Sequence, residues 1–175
     1  MDDDDDLDDD DDLDDDDDLD DDDDPDSALI EAAMVFDSTP EKTWALISKT
    51  GDQGLYLNEI KKISTVKQQK DRNLQRFTLK VAFMTIKYQV IHHFNPDKAL
   101  IYWGLDPDYD NELDDLRGFW RFYPYEGGKT LARYGSNVSI PNVPSWIEAM
   151  FKKNGVKKSL EAVKKYVNSG GTYRK

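Results

Sequence analysis

The 175-residue chain contains no cysteine, so disulfides, thiolate catalysis and thiolate zinc sites are excluded. The redox compartment stays open, because a cysteine-free chain suits the cytosol and a secreted protein equally. Histidine is almost as scarce, with His92 and His93 the only two. No apolar run approaches the roughly 18 residues of a membrane span. The first residues hold neither a basic segment nor an apolar core, so no signal peptide is visible and the cytoplasm is the default expectation. Basic residues are missing from positions 1–26, which hold 21 of the 37 acidic residues. All 23 Lys and Arg lie in residues 27–175 against 16 acids, a formal charge of +7. The overall charge of −14 therefore describes no real surface. It joins a polyacidic arm to a mildly basic domain.

Positions 2–24 repeat five Asp and one Leu, with Leu7, Leu13 and Leu19 six apart and Pro25 in the next slot. On a helix six residues advance by about 600°, so successive leucines sit about 240° apart and form no stripe. Adjacent carboxylates repel, and Asp is a poor former of helix and strand alike. Residues 1–26 are therefore expected to be a disordered acidic arm, natural or artificial. Its carboxylates suit loose Ca²⁺ binding, folding back on the basic domain, or plain solvation. Residues 27–175 suffice for one cooperative domain.

Within that domain, the apolar run 28–36 reads as a strand. Ser38-Thr39-Pro40-Glu41 then signals a helix over 40–49, capped either by Ser38 with Glu41 or by Thr39 with Pro40 in the first helical position. A second short helix or turn is expected over Leu55–Ile60, and a strand over Ile63–Gln69. Period two follows in 74–83, where Phe77, Leu79, Val81 and Phe83 oppose Arg76, Thr78 and Lys80. After a turn near Met84-Thr85 it resumes with Ile86, Tyr88, Val90, His92 and Phe94. Ala99–Leu105, Phe119–Tyr125 and Thr130–Ile140 complete the strands, with an acidic loop from Asp106 to Gly118 and a tight turn at Glu126–Lys129. Ser145-Trp146-Ile147-Glu148 reads as a second capping box, opening a long amphipathic helix to about Asn168. Gly155 inside it predicts a bend or a close approach. Short turns make neighbouring strands antiparallel, and a long amphipathic helix after such a sheet packs across its concave face. The space between them is suited to an apolar pocket.

The segments GFWRFYPYEGGKTLARY (118–134) and IPNVPSWIEAMF (140–151) resemble the SRPBCC or START-like superfamily, in particular its bacterial polyketide-cyclase/dehydrase and coenzyme-Q-binding branch. DSTPEKTWALI (37–47) and LYLNEIKKI (55–63) are similar to that family's first strand-helix-helix unit. The resemblance implies an α+β helix-grip fold: a curved antiparallel sheet of about seven strands around the C-terminal helix, with two short helices after the first strand. It further implies a cavity for lipids, quinones or polyketide-like molecules, and it supplies no catalytic motif to carry over.

The expected cavity residues are Phe77, Leu79, Val81, Tyr88, Val90, His92, Trp103, Trp120, Phe122, Tyr134, Trp146, Met150 and Phe151. As strand neighbours, His92 and His93 face opposite sides and cannot share a metal. His92 is either a core histidine held by a neighbour or a pocket base, and His93 is expected in solvent. The acids Asp106, Asp108, Asp110 and Glu112 alternate, but no EF-hand register places Gly sixth and Glu twelfth. Lys152, Lys153, Lys157, Lys158, Lys164 and Lys165 give the long helix a basic face, suited to anionic lipid headgroups, to nucleic acid or simply to water. No P-loop, dinucleotide fingerprint, Ser-His-Asp order or metal-ligand spacing occurs, and no cofactor is expected. The leading function is binding or transport of a hydrophobic small molecule by a monomer. A cyclase or dehydratase using His92, and a ribosome- or RNA-associated module, are the alternatives.

Overall fold

A computed structural model describes residues 29–175, so the expectation for residues 1–26, and the boundary after them, lie outside the described residues. The chain runs β1 (Ile30–Phe36), α1 (Pro40–Ile47), a 3₁₀ turn (Thr50–Asp52), α2 (Gln53–Tyr56) and β2 (Ile60–Gln68). There follow β3 (Arg72–Val81), β4 (Met84–Asn95), β5 (Leu100–Leu105), β6 (Asp115–Tyr125) and β7 (Lys129–Ser139). The C-terminal helix comprises α3 (Ser145–Met150), a wide π segment (Phe151–Gly155) and α4 (Val156–Asn168). The seven strands form one antiparallel sheet in the order β1-β7-β6-β5-β4-β3-β2. β1 and β2 are consecutive in the chain yet lie at opposite edges, so α1 and α2 must carry the backbone across the width of the sheet. This is the helix-grip architecture.

Local chemistry explains most boundaries. Of the two caps for α1, Thr39 is used: its hydroxyl accepts from the Lys42 N–H at 3.3 Å, and Pro40 occupies the first turn, where its missing N–H costs nothing. The second capping box does not form. Pro144 is the cap residue and offers no side-chain bond, which moves Ser145 into the helix. Glu148 instead pairs with Lys152 one turn on, at 2.8 Å. The β3–β4 turn falls at Ala82-Phe83, two residues before its expected place. The register explains this: Val81 pairs Met84 and Phe77 pairs Tyr88, which keeps both apolar phases on the concave face. Ala82 takes a positive φ of 51°, and Phe83, counted with the inward phase from sequence, is 84% exposed at the tip. β6 starts at Asp115, inside the expected loop, because Asp115–Gly118 pair with Ser136–Ser139 of β7.

The core has two parts. One gathers Phe36, Ile47, Trp120, Phe122, Val163 and Val167 beneath α1 and α4. The other gathers Phe77, Leu79, Ile86, Tyr88, Val90 and Ile140, with Phe151 against it. Tyr56 of α2 stacks on Tyr166 of α4, ring centroids 4.1 Å apart and planes 14° from parallel. Trp103 and Leu57 touch both parts.

Gly118 of β6 is one of the positions where an aromatic ring lies against the sheet backbone. A Cβ there would collide with the Trp103 indole and lie 2.5 Å from the Gly135 carbonyl oxygen, so the ring rests directly on the backbone. Gly118→Ala is expected to lower the free energy of urea unfolding by about 1–3 kcal/mol through overpacking. Gly104→Ala, whose nearest neighbour would be the Leu116 carbonyl oxygen at 4.0 Å, should cost clearly less. Equal costs would show that Trp103 does not depend on the missing side chain.

Candidate ligand cavity

A partly enclosed cavity of about 160 Å³ lies between the concave sheet face and the C-terminal helix. Period two delivers Phe77 and Leu79 from β3, Tyr88, Val90 and His92 from β4, Trp103 from β5, Trp120 from β6 and Tyr134 from β7 to its wall. Phe151 closes it from the π segment. Four of the expected residues sit elsewhere. Val81 packs near the hairpin end of the second core cluster. Phe122 lies deeper under α1, edge-on to Trp44 at 6.2 Å. Trp146 and Met150 face solvent, Trp146 at 66% exposure. Their displacement has a geometric cause: the π segment inserts an extra residue into the turn, so the inward stripe of α4 does not continue through α3 at regular spacing. Gly155 permits this, since a Cβ there would sit 3.3 Å from the Phe151 ring.

Several wall residues were absent from the expected set. Ile47, Tyr56, Leu57 and Ile60 come from the α1–α2 crossing, whose position across the sheet only the topology gives. Leu113 and Leu116 were hidden in the acidic stretch. Ser136 and Val138 continue the phase of Tyr134, and Leu160 and Val163 continue the helix stripe, so these four carried a readable signal.

His92 is 3% exposed and ringed by Phe77, Phe94 and Trp103, with ring centroids 6.0–6.3 Å away. Its Nδ1 lies 3.2 Å from Asn73 Oδ1. Asn73 Nδ2 donates to Thr50 Oγ1 at 3.0 Å, and that hydroxyl donates to Gln75 Oε1 at 2.7 Å. Gln75 Nε2 ends the chain on Thr65 Oγ1 at 3.2 Å. Because the Asn73 amide nitrogen is committed to Thr50, its oxygen accepts, which assigns the imidazole proton to Nδ1. Nε2 is then a lone-pair acceptor, and it bonds to no described residue. Burial, reinforced by the charge of His93, pushes the His92 pKa down to about 3, so the ring is neutral. Burial pushes Tyr88 up, and likewise Tyr134, where a hydrogen bond to Ser136 works in the opposite direction. Both phenols stay protonated.

His93 points to the convex face and stacks on Tyr102 at 4.5 Å. The acidic stretch runs along the edge of β4, with Asp106 N–H donating to the Gln89 carbonyl and Glu112 N–H to the Lys87 carbonyl at 2.8 and 3.0 Å. Asp106 is buried, accepting from Gln89 Nε2 at 2.7 Å and from the Asp108 N–H at 3.0 Å. Glu112 accepts from the Lys87 N–H at 2.6 Å. These acids satisfy β4 backbone and side-chain donors beyond the end of β5.

Unfolding exposes His92 to water, where its pKa returns to about 6.5. Between pH 6.5 and 3 the unfolded chain therefore binds the proton and the folded chain does not, so stability is complete above 6.5 and falls as the pH drops. Between pH 7 and 5 the wild type should lose roughly 1–2 kcal/mol more than His92→Gln in urea unfolding. Parallel losses would place the His92 ring in contact with water.

Known proteins resemble this chain in structure only. No protein family matches the sequence, and no curated protein matches it as a relative. A protein of Thermus thermophilus superposes with a TM-score of 0.69 at 16% identity, covering 82% of this chain and 99% of its own. The Zhui aromatase/cyclase of a Streptomyces species gives 0.67 at 12% identity, covering 79% of this chain and 92% of its own. A START superfamily protein of Mycobacterium smegmatis gives 0.66 at 12% identity, covering 81% and 97%. At such identities likeness reaches the backbone and not the chemistry. The chain is a helix-grip protein of the START-like fold.

Proposed function

We propose that the chain binds and carries a small apolar molecule bearing a hydroxyl group, without transforming it. The observation behind this reading is the pairing of an aromatic cavity with one neutral imidazole in its wall, His92, whose Nε2 bonds to no described residue. Apolar burial supplies most of the affinity, at roughly 25 cal/mol per Å². A ligand hydroxyl that donates to His92 adds orientation and discrimination, because a buried acceptor left without a donor is costly. A volume of 160 Å³ lies below the roughly 300–1,000 Å³ of sites for drug-sized ligands. A one- or two-ring phenol or quinol therefore fits better than an extended lipid, and the oxidised quinone, which has no donor, fits the polar contact worst.

The cyclase or dehydratase reading requires His92 as general base. A base works best with a pKa near the operating pH, and burial holds this one near 3. Among the described residues no carboxylate bonds to the ring to restore its basicity, its Nδ1 partner being the neutral amide of Asn73.

Isothermal titration of the full chain with 2-naphthol, naphthalene and 1,4-naphthoquinone tests the proposal. The naphthol should bind about fivefold more tightly than either ring without a donor, the equivalent of one net hydrogen bond near 1 kcal/mol. His92→Phe should abolish that preference while the far-ultraviolet spectrum stays native. Selectivity that survives the substitution, or failure of all three to bind, overturns the assignment.

A further inference from the structure

The convex face carries a second concavity, a groove of about 440 Å³ over β5, β6 and β7. Leu29, Tyr102, Arg117, Phe119, Arg121 and Arg133 border it. Arg117, Phe119 and Arg121 share one phase of β6, and Arg133 of β7 stands directly opposite Arg121 in the ladder. Two like charges at a cross-strand position repel, so this arrangement costs stability unless an anion lies over it. Arg133 has one, Glu31 Oε2 at 3.2 Å. Among the described residues Arg121 has no carboxylate within ion-pairing distance. The nearest carboxylate oxygen to Arg117 Nε is Asp115 Oδ2 at 3.3 Å, which already accepts from Asn137 Nδ2 at 2.6 Å. That Nε is buried and makes no hydrogen bond to a described residue. Three guanidiniums thus share one groove; among the described residues Arg121 has no carboxylate partner and Arg117 only the shared carboxylate of Asp115.

The same groove is bordered by Leu29, and Ile30 pairs with Ser136 beside the Arg117–Asn137 pair. Leu29, at the border of this groove, is the point of attachment of the preceding polypeptide. That polypeptide carries Asp26 and the run Asp20–Asp24. At about 3.3–3.6 Å per residue, Asp26 reaches about 10 Å from Leu29 and Asp20 about 30 Å. Three strands at about 4.8 Å spacing are spanned within that reach. Arginine presents a planar fork that carboxylates engage in bidentate fashion, which the point charges of lysine do not. Attachment in the same chain places the carboxylates near the groove at an effective concentration on the order of millimolar.

We infer that Asp20–Asp26 dock along the arginine groove on the convex face of β5–β7, a polyanionic cover held in cis that neutralises Arg117 and Arg121. Any external polyanion directed to this face must first displace it.

Because the protein has no cysteine, Leu19→Cys gives a single attachment site for a nitroxide label on the full chain. Amide relaxation should be enhanced several-fold more at Phe119, Arg121 and Arg133 than at Lys157–Lys165 of α4. Raising the salt to 1 M, where the screening length is about 3 Å, should remove the difference. So should the double substitution Arg117→Gln, Arg121→Gln, which leaves the apolar groove residues in place. Enhancement centred on the lysines of the C-terminal helix, enhancement spread evenly over the surface, or a pattern unchanged by the double substitution would each overturn the inference.

Discussion

The stack of Tyr56 on Tyr166 fixes where the C-terminal helix sits, and the cavity depends on it. A sheet whose first two strands lie at opposite edges leaves its concave face open, and only the α1–α2 crossing and the last helix can cover that face. Their contact combines this ring pair with the packing of Ile47 of α1 in one cluster with Val163 and Val167 of α4. Aromatic pairing of this kind contributes about 0.5–1.5 kcal/mol beyond the area buried. The remaining chain reinforces the same place: the Lys175 ammonium donates to the Leu57 and Ile60 carbonyls at 3.1 and 2.8 Å, tying the C-terminus to the α2–β2 link. Toward α3 nothing comparable holds. No residue of α3 is buried, and the π segment with Gly155 separates it from the clamped half. The helix is thus anchored at one end, and the cavity is bounded by Phe151 at the weaker end.

A buried polar chain in this core needs a physical justification, since an unpaired polar group there costs several kcal/mol. The relay from His92 through Asn73, Thr50 and Gln75 to Thr65 leaves each internal donor and acceptor matched. Its direction is set at the Thr50 hydroxyl, which both accepts and donates, and the tautomer of His92 follows. The relay therefore converts a group that titrates near neutrality in water into a fixed acceptor inside the cavity. A neutral acceptor among aromatic rings recognises a donor and does little to take a proton from carbon. The same burial on which the proposed selectivity rests makes the histidine a poor base.

How much of this was readable beforehand depends on whether the determining force was local. The alternation in 74–94 placed Phe77, Leu79, Tyr88, Val90 and His92 on one face because strand phase is a nearest-neighbour property. Thr39-Pro40 and Gly127-Gly128 marked their boundaries for the same reason, the two glycines adopting φ values of 68° and 74° that other residues resist. Trp146 and Met150 were misplaced because a π insertion changes helical phase without a strong sequence mark, Gly155 being the one hint. Ser145-Glu148 matched a capping box, but Pro144 started the helix one residue early and Glu148 found Lys152. Leu113 and Leu116 were concealed by the acids around them, whose role is to bond β4 beyond the end of β5. The wall contributed by α1 and α2 was illegible for a different reason: strand order is a long-range fact, and no window of sequence contains it.

The two faces of the sheet have opposite characters, apolar and aromatic within, arginine-lined without, and at one point almost nothing separates them. Trp103 borders both the cavity and the convex groove, and it is the one described residue common to their linings. This follows from Gly118, where the missing side chain lets the indole lie on the backbone of β6. At Gly135 the Phe119 ring likewise rests on the backbone, but no residue other than Trp103 is common to the two linings. Coupling between two sites requires a physical element that both can bias. Here that element is a single ring, held by Tyr134 at 6.1 Å and His92 at 6.0 Å on the cavity side. A ligand that displaces the indole must also alter the floor of the arginine groove, and one that leaves the indole in place has no route to it. The geometry of Trp103 in the liganded protein therefore decides whether the convex groove and the cavity act on each other or independently.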